Sequence, residues 1–123
     1  MARVDTRAVG RQAETRALKF LQGSGLRLLE RNFHCRFGEI DLIMRDGACV
    51  VFVEVRQRKR NNIAPATQTV GRQKQTKLLL AASHYLAGLA TDAPPTCRFD
   101  VIGIDTDGDC SSIDWRRNAF QSE

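Results

Sequence analysis

Apolar residues recur at helical spacing near the start of the chain, where Val9, Ala13, Ala17, Leu18 and Leu21 form one stripe. Asp5 or Thr6 can cap its beginning and Gly23 and Gly25 end it, so a helix is predicted from Asp5 to about Gln22, with Glu14 on the border of the stripe. A short extended segment, LRLLERNFHCRFG, follows, with Leu26, Leu28 and Phe33 as candidate sheet-facing residues. Then come EIDLIM and ACVVFVEV, separated by Arg45, Asp46 and Gly47. Asp-Gly between β-rich runs predicts a tight antiparallel hairpin. Apolar residues fall on both alternating sets, so both faces of this pair are expected to be covered.

Residues 57 to 66, QRKRNNIAPA, combine basic side chains with two Asn and a Pro and predict a solvated loop. A second helix is predicted from about Thr69 to Leu89, with Val70, Lys74, Leu78, Ala81, Ala82 and Tyr85 on one stripe, until TDAPPT breaks it. CRFDVIGID is a further strand, Asp107-Gly108 a second turn, and SSIDW a final short strand leading into RRNAF. The order αβββαββ predicts an α/β fold, a central mixed sheet of about five strands flanked by helices. With no repeat, low-complexity tract or linker, residues 1–123 read as one domain.

At 123 residues, with 42% hydrophobic and 27% charged, the chain can bury a core without staples. Cys35, Cys49, Cys97 and Cys110 show neither zinc-ligand nor disulfide-framework spacing, which suits a reducing compartment. The amino terminus lacks the apolar core of a signal peptide, and no apolar run approaches the roughly 20 residues of a membrane helix. A cytoplasmic protein with no membrane partner is expected. The net charge of +5 and pI near 9.4 suit contact with polyanions. Arg56, Arg58, Lys59 and Arg60 follow directly on Glu54, and Arg72, Lys74 and Lys77 lie in the next element. No nucleophile elbow or phosphate-cradling glycine loop is present, and His34 and His84 have ordinary helix or loop roles.

The carboxylates are the anomaly. Glu39, Asp41 and Glu54 interrupt runs of Ile, Val and Phe, where a charge must be paired, protonated or bound to a cation. With Asp46 and Gly47 as the central turn residues, Arg45 opposes Ala48, Asp41 faces Phe52 and Glu39 faces Glu54. Glu39, Asp41, Glu54 and Arg56 then share one sheet face, and Asp41 and Glu54 are diagonal neighbours with backbones about 7 to 8 Å apart. Two acids this close suit one Mg²⁺, which takes one or two carboxylates and completes its shell with water and phosphate. Alternatively Arg56 neutralises the cluster as a buried salt bridge. Asp100 and Arg98 alternate on one strand face, so Asp100 can pair with that arginine or support the metal site from behind, the structural role being favoured, and Trp115 is expected at the core or its edge.

Asp41 followed by Glu54-Val55-Arg56 on the second arm of a hairpin resembles the PD-(D/E)XK nuclease superfamily, which has a restriction-endonuclease-like core. The longer string RNFHCRFGEIDLIMRDGACVVFVEVRQR, then Lys74 and CRFDVI, resembles the YraN family of small bacterial predicted endonucleases over nearly the whole chain. That family is similar to archaeal Holliday junction resolvases. The resemblance implies that Asp41 and Glu54 are metal ligands for Mg²⁺ or Mn²⁺ and that Glu14 is an additional catalytic acid. Arg56 stands where the superfamily has lysine, and an arginine holds phosphate or stabilises charge but cannot take a proton from water. Lys74, on a helix stripe expected to face the sheet, is a candidate substitute; it equally suits snorkelling or pairing with an acid.

The function this implies is metal-dependent hydrolysis of phosphodiesters in branched or otherwise structured DNA. Arg58, Lys59, Arg60, Arg72 and Lys77 would contact the backbone, and a homodimer follows by analogy because a junction needs two cuts. Nothing in the sequence reads or rejects a 2′-hydroxyl, so RNA stays open as a partner. The alternative is a catalytically inactive nucleic-acid-binding protein on a nuclease-like fold. A third reading is an interaction module whose acids form a buried ion-pair network.

Overall fold

The computed structural model describes residues 6–59, 70–107 and 110–120. Its elements are α1 (Thr6–Gly23), β1 (Arg27–Cys35), β2 (Gly38–Asp46), β3 (Cys49–Lys59), α2 (Arg72–Ala87), β4 (Cys97–Asp107) and β5 (Cys110–Phe120). The five strands form one mixed sheet in chain order, β1-β2-β3-β4-β5. Only β3 and β4 run parallel, joined through α2. A parallel neighbour needs a crossover of this length, which is why the helix falls between them.

The two helices cover opposite faces. Ala13, Ala17 and Leu21 of α1 pack with Leu42, Met44, Val51, Val53, Ile102 and Ile104. Leu78, Ala81 and Ala82 of α2 pack with Ile43, Val50, Phe52 and Phe99 on the other face. Small residues at four of these helix positions let the backbones approach the sheet, and the double coverage accounts for apolar residues on both sides of β2 and β3.

The hairpin register differs from the sequence expectation by two residues. Asp46 pairs with Cys49 and Leu42 with Val53, so Gly47 and Ala48 are the central turn residues. An Asp46-Gly47 centre of type I′ demands positive φ at both positions, whereas a Gly-first turn demands it only at the glycine, and Gly47 has φ 60°. Asp46 stays extended and accepts a hydrogen bond from Arg98 Nη1 at 3.0 Å. Glu39 therefore does not face Glu54. A shift of two preserves the side-chain faces but moves Asp41 level with Glu54, just past the last Leu42↔Val53 pair. Nothing crowds a β-carbon at Gly47, so Gly47→Ala is expected to cost only the backbone term, about 1–2 kcal/mol. The check is a lowered urea midpoint with an unchanged m-value.

Several element bounds also move. β3 continues through Lys59, so Gln57–Lys59 are strand rather than loop; Arg60 and residues 61–69 lie outside the described residues, as does Gly108 of the second turn. α2 starts at Arg72, and β5 runs through to Phe120 rather than ending near Trp115. Leu28 is 37% exposed, because a register shift between Leu28 and Glu30 turns this stretch of β1 away from the core.

Candidate active site

Side chains two apart on a strand normally share a face, but Ile40 packs against α2 while Leu42 packs on the α1 side. The alternation breaks at Asp41. On β1 the level between Arg31↔Leu42 and Phe33↔Ile40 is occupied by Asn32, whose φ of 56° is left-handed. Asn tolerates that conformation better than most residues, and such irregularities re-aim side chains. Here the Asp41 carboxylate turns toward β3, where its Oδ2 accepts the Val55 N–H at 2.8 Å. A side chain has taken over the hydrogen bond that a β2 carbonyl would otherwise make.

Beyond this point a cavity of about 380 Å³ opens, lined by Asp41, Glu54 and Glu39 with Gln73, Lys74 and Lys77 of α2. Glu54 is 5% exposed, and its Oε1 forms an ion pair with Lys74 Nζ. Burial, and after it the negative charge of Glu54, push the Asp41 carboxyl up to about 7; the Val55 N–H and the Lys74 charge pull the other way. One ammonium therefore answers two crowded carboxylates. Removing it in Lys74→Met is expected to move the Asp41 titration above 7, read from the carboxyl carbon by NMR, and a lower value would contradict the pairing.

Glu14 approaches from α1. Its carboxyl is raised by burial first and then by the Asp41 charge, against the lowering effect of Arg31 and Asn32. Glu14 Oε1 is buried without a hydrogen bond, and Arg31 Nε lies 3.6 Å away. Asp41 thus has Glu54 and Lys74 on its α2 side and Glu14 with Arg31 on its α1 side. Among the described residues no group of three or more His, Cys, Asp or Glu side chains forms a metal cage. Asp41, whose proton affinity the charge of Glu54 raises, forms with Glu54 a carboxylate pair that fits Mg²⁺ or Mn²⁺, whose remaining positions go to water and phosphate.

Arg56 is half-buried in β3 and is not among the cavity-lining residues; among the described residues the cation on Glu54 is Lys74, so the alternative of an Arg56 salt bridge is not the pair formed. Lys77 lines the cavity, whereas Arg72 is exposed at the first position of α2 and does not. Arg58 and Lys59 end β3, but their side chains, like all of Arg60, fall outside the described residues. Gln73 lines the cavity and Gln57 is exposed away from it. His34 stands 3.7 Å from Glu39, and His84 packs beside Phe33 and Phe37; neither lines the cavity. Asn32 and Arg31 went unnoticed in the sequence, although an Asn within a strand-like run is a signal for a left-handed residue.

The class so defined is α/β, a five-stranded mixed sheet between two helices. The chain belongs to the family described as Uncharacterised protein family UPF0102, whose model matches residues 13–104 and so spans Glu14, Asp41, Glu54 and Lys74. It is 48% identical over 118 residues to a UPF0102 protein of Stutzerimonas stutzeri, covering 96% of this chain and 98% of that protein. A UPF0102 protein of Nitrosococcus oceani is 46% identical over 114 residues, 93% of this chain and 92% of its own length. UPF0102 protein Nmul_A0195 of Nitrosospira multiformis is 49% identical over 114 residues, 93% of each. Among the described residues no helix is long and apolar enough to cross a membrane.

Proposed function

We propose that the protein is a metal-dependent endonuclease with a restriction-endonuclease-like PD-(D/E)XK core, acting on branched or otherwise structured DNA as the YraN-like string implies. The observation that carries this reading is the convergence of Asp41, Glu54 and Lys74 on one cavity at the splayed end of the β2–β3 hairpin. Asp41 and Glu54 would hold Mg²⁺ or Mn²⁺. Such a cation, when bound, lowers the pKa of water and offsets charge on a phosphate.

The chain's own groups supply the rest. Val55 N–H fixes the Asp41 carboxylate in place. Lys74, freed from Glu54, becomes a donor to a non-bridging phosphate oxygen, and Lys77 adds charge at the rim. The first turn of α2 carries Arg72 and Lys74 and no acid, and its N-cap Gly71 makes no side-chain cap. Cations at this end oppose the helix dipole, while its free N–H groups favour an anion, so the arrangement suits phosphate better than it suits the helix. Arg56 lies outside the cavity lining, and a guanidinium there would serve as a charge for phosphate beyond the cavity rather than as a base.

The Lys74–Glu54 ion pair favours a second reading, since the protein supplies its own counter-charge: a nucleic-acid-binding protein without catalysis. Incubating branched, duplex and single-stranded DNA, and a matched RNA, with the protein plus Mg²⁺ or Mn²⁺ separates the two. Metal-dependent scission of the branched DNA is expected. Association without scission would leave the binding protein, and a homodimer is expected by light scattering if one particle makes both cuts.

A further inference from the structure

On the α1 side of Asp41 lies a shallow groove of about 710 Å³, lined by Arg11, Gln12, Thr15, Arg16, Arg31 and Asn32. We infer that this groove binds the sugar–phosphate backbone of a polynucleotide, an inference that rests on the endonuclease reading and adds the path of the strand flanking the cut.

The charge pattern of α1 has no structural return. Thr6–Gly23 contains Arg7, Arg11, Arg16 and Lys19 against a single acid, Glu14. Exposed helices gain from acid–base pairs three or four residues apart and from acids near the amino end; here the first turn holds Arg7 and no acid. Glu14 turns inward to Arg31, so it does not screen the outer face. Arg11 and Arg16 are exposed, and neither forms a salt bridge with an acid among the described residues. Rows four residues apart place Arg11, Thr15 and Lys19 along one line, about 12 Å from end to end.

Arg31 forms the floor. Its Nη2 donates to Thr15 Oγ1 at 2.8 Å and to the Arg11 carbonyl at 3.1 Å, which locks the guanidinium before any ligand arrives. Its side chain is 31% exposed, leaving part of the group open to the groove. Fixed guanidinium with Thr, Gln and Asn side chains is the donor set that positions phosphates without reading sequence. An open groove suits a chain, whereas a small anion is held in an enclosed pocket. Asn32 of the groove stands on the β1–β2 ladder at the level of Asp41, which lines the α2 cavity. A strand crossing the open end of the sheet would touch both.

The test is fluorescence anisotropy of labelled branched and single-stranded DNA in EDTA, titrated with NaCl, for the parent, Arg11→Ala/Arg16→Ala and Arg45→Ala at the hairpin tip. The double variant is expected to bind at least about tenfold more weakly, with a log–log salt slope shallower by about 2, and Arg45→Ala to match the parent. An unchanged slope in the double variant, or an equal loss in Arg45→Ala, would overturn the groove. Displacement by polyglutamate as effective as by unlabelled DNA of equal charge would also overturn it, making the surface a dock for acidic protein segments. Binding is read without divalent cation. Cleavage with an unchanged slope therefore sinks only the groove, and a reduced slope without cleavage sinks only the endonuclease.

Discussion

Asp41→Asn is expected to abolish cleavage and to make the protein more stable above pH 7. The folded-state carboxyl of Asp41 is raised from 3.8 to about 7, whereas in the unfolded chain it loses its proton near its ordinary value. Between those values the native state binds more protons than the unfolded one, so stability falls as pH rises through the window, and above 7 the whole penalty is present. Asparagine cannot ionise, yet its carbonyl oxygen can still accept the Val55 N–H. The variant is expected to gain about 1–3 kcal/mol at pH 8, a rise in Tm of about 4–10 °C, and to match the parent near pH 4. A gain that is the same at both pH values would rule out ionisation as its source.

The cost falls on function. Losing one of two carboxylates should lower cleavage by about a thousandfold, comparable to removing a preorganised transition-state contact. Adding Mg²⁺ at pH 8 should raise the melting temperature of the parent and leave Asp41→Asn unmoved, since only a ligand that binds the folded state shifts the transition. Glu54→Gln is expected to silence cleavage as well, with Lys74 losing its partner. A site that gains stability when its acid is neutralised is one whose strain is maintained for activity.

How much of this is legible in the chain depends on how far each determinant reaches. Helix α1 is visible because Ala13, Ala17 and Leu21 are spaced by local geometry, and all three are buried. That Asp41 and Glu54 share a site is visible through parity alone, which survives a two-residue error in register. The register itself is not, because Asp46 is held in the strand by Arg98, fifty-two residues away. Lys74 stands out as a charge on an apolar stripe, but its choice of Glu54 as partner depends on where α2 docks. The reversal at Asn32 and Asp41 is only half visible: an Asn within a strand-like run signals a left-handed residue, but that two strands change face at one level depends on their pairing. The pairing of Arg98 with Asp100 is an i, i+2 contact and is legible; the other partners of Asp100 come from β5.

Those partners make Asp100→Ala the substitution with the largest expected loss of stability. Asp100 is fully buried, at 0% exposure, and its carboxylate accepts Arg98 Nε at 3.1 Å, Trp115 Nε1 at 2.9 Å and the Asn118 N–H at 2.9 Å. It fills a local irregularity: Phe99 pairs with Phe120 but Val101 with Arg116, so β5 spends extra residues opposite Asp100, and Asn118 takes a left-handed φ of 53° there. The ladder leaves the Asn118 N–H without a strand partner, and the Asp100 side chain takes it. Alanine would leave two part-buried donors without their acceptor and remove the buried partner of one arginine charge. Asp46 would remain as a half-exposed counter-ion, and Arg98 Nη2 already lacks an acceptor. Breaking one side of a buried pair costs about 3–5 kcal/mol, a large share of the roughly 5–15 that holds a domain together. Asp100→Asn should lose less, because its oxygen still accepts one bond while its amide meets donors. Val101, the next residue, pairs with Glu54 across the parallel β3–β4 ladder, so the network braces the strand beside the site without touching it. Urea unfolding should therefore show a sharply lowered midpoint for Asp100→Ala, while Mg²⁺ still raises stability by the same increment as in the parent. A loss below about 1 kcal/mol would mean that the paired charges contribute no more than an apolar filling of equal volume.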